Sequence, residues 1–200
     1  MYTQERDEVI FREPMLEQQD VQAKISFAEP SEWKLKDQVK AIGGDQVKDI
    51  YKACKLTVAI TDDSVKTEHP DALPKMIVED QFCVQKYPYV DKKTGKLAWM
   101  NRQKLFDLER AFGFDPCFVD RQGNSVEPYI SRTGSKLAPK VDGCARVINA
   151  DFLSNYFHED MTINPTNWID KSILVDIGVE KSEQYGDKNI IKRYKKVSTI

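Results

Sequence analysis

The chain is poor in the residue types on which enzyme sites are commonly built. Its 200 residues include 2 histidines, 4 cysteines and 9 glycines. His69 and His158 stand apart from other metal-donor residues at any recognised spacing, so they supply neither a metal-ligand set nor the base of a nucleophilic triad. Cys54, Cys83, Cys117 and Cys144 are spread along the chain without a C-x-x-C pair, which argues against a zinc site and for reduced thiols. Gly43-Gly44 is not followed by Lys-Ser or Lys-Thr, so there is no phosphate-cradling loop. No serine or cysteine sits in a nucleophile motif. Asp176, Glu180 and Lys181 are residue types of a nuclease core, but Glu180 and Lys181 are adjacent and would face opposite sides of a strand. The expectation is a non-catalytic protein without metal or cofactor.

Long apolar runs are also missing. None approaches the roughly 20 residues of a spanning helix, and the leading MYTQERDEVI has neither the basic nor the apolar region of a secretion signal. The expected setting is the cytoplasm, away from membranes. An excess of positive charge is absent too: 30 Lys and Arg stand against 32 Asp and Glu, for a net charge of −2. Any nucleic-acid binding therefore has to come from local charge. The distribution is uneven, with six acids and two bases in residues 1–20 and seven bases and four acids in residues 171–197.

A hydrophobic fraction of 40% and a charged fraction of 31% are those of a globular domain. The chain divides into an acidic arm, residues 1–20, and one domain over residues 21–200 with an insertion at about 114–149. Period-two alternation predicts strands. Val21, Ala23, Ile25 and Phe27 are in phase in a segment that ends at Pro30. Cys54, Leu56, Val58 and Ile60 are in phase in the next, and Met76, Val78, Phe82 and Val84 in a third. Helical spacing of Leu105, Leu108, Ala111 and Phe112, between Asn101 and Gly113, predicts an amphipathic helix from Arg102 to Phe112 whose charges form a solvated face. Asn149 is placed to cap a second short helix, ADFLSNYF.

The last thirty residues are the most informative. Ile173, Val175, Ile177 and Val179 alternate as the inward face of a strand. Tyr185-Gly186-Asp187-Lys188 reads as a turn, and a second strand follows with Lys192, Arg193, Lys195 and Lys196 around Tyr194. Cations interleaved with an aromatic suit a phosphate backbone and its bases; the same lysines also suit an edge strand protected against aggregation. By alternation Lys192, Tyr194 and Lys196 share one face and Arg193 and Lys195 the other, with Lys188 and Tyr185 at the turn. Further candidates for nucleic-acid contact are Lys86, Tyr87 and Tyr89, then Lys92, Lys93 and Lys96, and Arg132 in a basic loop.

The element order predicts a mainly β fold: an OB-fold-like antiparallel Greek-key barrel with a helix between its third and fourth strands, and one or two short helices in all. The stretch Val175-Asp176-Ile177-Gly178-Val179-Glu180, the Tyr185-Gly186 turn, Asn189-Ile190-Ile191-Lys192-Arg193-Tyr194 and the helix RQKLFDLERAFGF together resemble the OB-fold single-stranded-DNA-binding proteins of bacteriophage replication and recombination modules. The resemblance covers about half the chain, from Pro74 to Ala111 and from Ile163 to Val197. It implies non-catalytic binding of single-stranded DNA, with RNA not excluded, in the host cytoplasm beside replication or recombination proteins. The alternative is an accessory module that docks to a replication or host enzyme.

Overall fold

A computed structural model describes residues 12–31, 51–85, 89–90, 97–98, 102–120, 122–134, 136–137 and 144–197. In chain order the elements are β1 (Arg12–Glu13), β2 (Gln18–Ser31), β3 (Tyr51–Ile60), β4 (Leu73–Pro74), β5 (Ile77–Gln85), β6 (Tyr89–Val90), β7 (Leu97–Ala98) and α1 (Arg102–Ala111). They continue with β8 (Cys117–Val119), β9 (Ser125–Val126), β10 (Tyr129–Ile130), β11 (Lys136–Leu137), β12 (Ala145–Val147), α2 (Ala150–Tyr156), β13 (Ser172–Glu180) and β14 (Lys188–Lys195).

The five long alternating segments pair into one antiparallel sheet of order β14-β13-β2-β3-β5. Its inner face carries Val21, Ala23, Ile25, Leu56, Val58, Val78, Phe82, Ile173, Val175 and Ile177, all buried. The alternation predicted for β3 and β13 therefore holds, except that Val179 is only half-buried near the end of β13. The sheet curls until its edge strands β14 and β5 come into contact, though no ladder closes it. Across that seam the Tyr194 hydroxyl donates to Asp80 Oδ2 at 2.7 Å. Helix α1, which follows β5 in sequence, packs against β14 and β5.

Three bulges break the period-two pattern, and each redirects side chains. In β2 the register slips between Ile25 and Phe27, so Ser26 and Phe27 both turn outward. Phe27, expected to point inward with Ile25, is 50% exposed. A second slip in β2 surrounds Asp20, whose φ is 56° and whose N–H donates to Asp176 Oδ1 at 3.1 Å. In β14, Asp176 faces Arg193 while Ile177 faces Ile191, which leaves Lys192 as the extra residue.

The acidic arm and the core meet earlier than composition suggested. Strand β2 begins at Gln18, before the expected Val21, and Met15 is fully buried and bridges to Thr67. Both amide groups of Asn189 anchor this entry: its Oδ1 accepts from Met15 N, and its Nδ2 donates to Met15 O, each at 2.8 Å.

Helix α1 corrects a second expectation. Of its charged residues, Asp107 is 1% and Glu109 0% exposed, so they are not on a solvated face. Asp107 is satisfied by Gln103 at 2.8 Å, Arg110 at 3.0 Å and Arg193 at 2.7 Å, and Arg146 lies 3.7 Å from Glu109. Buried carboxylates persist only when partnered in this way. Lys104 pairs with Asp80 at the seam, so α1 ties the two sheet edges together by charge as well as by apolar packing.

The insertion after α1 forms a three-stranded sheet of order β12-β8-β9 and a separate two-stranded hairpin, β10-β11. Asn149 caps α2 as expected, accepting from Asp151 N at 2.8 Å and Phe152 N at 3.2 Å. Phe112, Phe114, Phe152, Tyr156, Phe157 and Trp168 pack edge to face or tilted, with centroids 4.8–6.3 Å apart, an arrangement that aromatic quadrupoles favour. The buried Trp168 indole N–H donates to Tyr156 O at 2.9 Å.

Candidate functional site

The hairpin β13-β14 forms where its alternation predicts, but its cationic strand is not an open phosphate-binding face. Lys192 pairs with Glu17 at 2.8 Å, and its stem lies over Gly178. Arg193 reaches back to the buried Asp107. Lys195 bridges Asp176 at 2.6 Å and Asp20 at 2.9 Å, and Lys188 pairs with Glu180 at 2.8 Å. These pairings raise the pKa of Lys195 and Arg193 and lower that of Glu17, the side-chain hydrogen bond to the partner being the main cause in each and its opposite charge a lesser one. A cation already held by an acid must lose that partner before it can neutralise a phosphate.

Tyr194 departs further from its expected role. It is 2% exposed, with its ring in the core and its hydroxyl on Asp80, so it has no free face for a base. The cause is the bulge at Lys192. One extra residue moves Tyr194 to the inner side with Ile191 and leaves Lys192 and Arg193 together outside, which also overturns the expected grouping of Lys192, Tyr194 and Lys196 on one face. Burial, followed by the Asp80 charge, pushes the Tyr194 hydroxyl well above the usual tyrosine range and keeps it a donor. Lys196 remains exposed just beyond β14, near Gly113.

The turn of the same hairpin is different. Gly186 supplies a φ of 72°, and Tyr185 stands 84% exposed beside it. Two grooves adjoin here. One of ≈690 Å³ runs between the segment Arg12–Glu17 and the turn, lined by the cations Arg12, Lys75 and Lys181, the acids Glu13, Glu17, Glu68 and Asp187, and by Leu16 and Tyr185. The other, of ≈680 Å³, lies between β5 and the start of β14, lined by Lys55, Lys75, Ile77, Gln81, Lys188 and Ile190. Lys75 lines both, making them neighbours around the hairpin end. Arg12, Lys75 and Lys181 have no ion-pair partner among the described residues, in contrast to the cations of β14.

Arg132 is exposed at the tip of the β10-β11 hairpin, away from the sheet core. Lys86, Tyr87, Lys92, Lys93 and Lys96 lie outside the described residues; Tyr89 lies in β6, its side chain outside them. Sequence reasoning missed Arg12, Lys75 and Lys181. Lys75 lies on the outward side of the alternation leading into β5, Lys181 directly follows β13, and Arg12 falls in the acidic arm, so local pattern does not distinguish these cations from any others. A cation immediately flanking a strand end was the signal available.

All four cysteines are unpaired; Cys54 and Cys83 are buried, and burial raises the Cys83 thiol to about 11. Among the described residues no group of three or more metal-donor side chains gathers, and no helix is long and apolar enough to cross a membrane. No family model, curated protein or solved structure matches the chain.

Proposed function

We propose that the protein is a non-catalytic binder of single-stranded DNA built on an OB-like, incompletely closed barrel. The strand order β14-β13-β2-β3-β5, with a helix between the third and fourth long strands and with both edges in contact, supports the barrel reading. The observation that carries the binding reading is Tyr185: a large aromatic projecting from the turn beside adjoining grooves edged by Arg12, Lys75 and Lys181, which have no ion-pair partner among the described residues. Exposed rings stack bases and neighbouring cations hold phosphates. The proposed interface is therefore the hairpin turn and the β5 groove rather than β14. The replication or recombination role that the bacteriophage resemblance implies belongs to the same proposal.

The second reading, an accessory module that docks to a protein, is favoured by the β10-β11 hairpin, where Tyr129, Ile130 and Leu137 are all exposed. Tyrosine and arginine beside exposed aliphatics are the composition of protein-binding surfaces. Fluorescence anisotropy with a labelled oligothymidine at two salt concentrations tests the choice. Affinity that falls steeply with salt supports DNA binding, and no binding at low salt removes it.

A further inference from the structure

The outer face of the sheet holds a half-exposed aromatic, Phe27. At the β2 bulge Ser26 and Phe27 both point outward, and the Ser26 hydroxyl donates to Thr57 O at 3.0 Å. That turns Phe27 from the core into solvent, where half its surface is exposed. A single exposed apolar residue is ordinary by itself. Two features set this one apart. A bulge is a device that re-aims a side chain, and without it Phe27 would join Ile25 inside. The register also aligns Phe27 with Thr57 on β3 and Glu79 on β5, two strand spacings away, roughly 10 Å. The next outward row is Lys24, Ala59 and Ile77. Ile77 is 63% exposed and lines the β5 groove. The outward positions thus run from Phe27 past the row of Lys24, Ala59 and Ile77 to Lys75, which lines one groove with Tyr185.

We infer that Phe27 is a second stacking platform for the same strand, which crosses the outer face of β2, β3 and β5 between Phe27 and Tyr185. This rests on the proposed single-strand function and adds to it the path and polarity of contacts: a ring at each end, Lys24 and Lys75 toward the phosphates, and Ile77 between. Lys55 contributes less charge, because it is already paired with Glu79 at 2.7 Å and Glu29 at 3.7 Å.

The test uses the full chain with a labelled oligothymidine at two salt concentrations, comparing wild type, Phe27→Ala and Phe27→Trp, with thermal melting of each. Phe27→Ala is expected to bind about ten- to a hundredfold more weakly at both salts with an unchanged salt slope, since a lost ring removes no charge, and to melt no lower than wild type. Phe27→Trp is expected to keep its affinity, and the added indole to be quenched as the oligonucleotide binds. Wild type that binds while Phe27→Ala binds within twofold of it overturns the platform alone, as does an added indole that stays unquenched. Wild type that does not bind at low salt overturns the single-strand function and this inference with it.

Discussion

Tyr185 and Tyr194 occupy one hairpin and have opposite fates. The first is at the turn, exposed and beside cations that have no ion-pair partner among the described residues; the second is in the strand, buried and bonded to Asp80 across the seam. The cations divide the same way. Arg193 and Lys195 on β14 are held by Asp107, Asp20 and Asp176, whereas Lys75 and Lys181 beside the turn have no acid partner among the described residues. Residue type alone does not separate structural from binding roles here. What separates them is whether an acid of the fold has already claimed the cation, and whether a bulge has turned the ring inward.

The largest expected effect tests the buried side of that contrast. Tyr194→Ala should lower unfolding free energy in chemical denaturation by about 3–5 kcal/mol, the usual cost of removing a buried aromatic, while Tyr185→Ala should stay within about 0.5 kcal/mol of wild type. Equal losses in the two variants would erase the distinction.

A gentler change isolates the seam. Tyr194→Phe keeps the packing but leaves Asp80 with one partner fewer, Lys104, and should cost about 1–3 kcal/mol. The sign with pH follows from the raised pKa of this phenol. A group whose folded pKa lies above its unfolded value gives stability that is complete below the unfolded value, about 10 for tyrosine, and is lost as pH rises toward the folded one. Wild type should therefore lose stability above about pH 10, by up to about 1.4 kcal/mol per pH unit for this one group. Tyr194→Phe should show a shallower decline, and parallel pH profiles would sink the assignment.

The exposed side is tested by binding. Tyr185→Ala should weaken oligothymidine binding by about 1–3 kcal/mol at every salt concentration. A loss confined to low salt would point to an electrostatic rather than a stacking role. The smallest effect sharpens the comparison among cations. Lys75→Ala with Lys181→Ala should reduce the magnitude of the salt slope by about two units, one for each phosphate contact removed. Lys192→Ala with Lys195→Ala should leave it unchanged because Glu17, Asp20 and Asp176 already neutralise those charges. The reverse pattern would return the interface to β14.

The five long strands, both helices and the inward sets Leu56, Val58, Ile173, Val175 and Ile177 are legible in local pattern, because alternation and helical spacing are local consequences of burying one side of an element. Local pattern also places the cap at Asn149 and the turn at Gly186, since both depend on residues within a few positions of one another. Where Phe27 and Tyr194 point follows from strand pairing instead, because a bulge is an extra residue counted against a partner strand, and the partner strand is a separate stretch of sequence. The fold also settles which cations are paired, since Asp107 meets Arg193 across 86 positions of sequence and Glu17 meets Lys192 across 175. Charge on a strand is legible one residue at a time; its neutralisation is not, because the neutralising acid is chosen by how the sheet curls and where the helix packs.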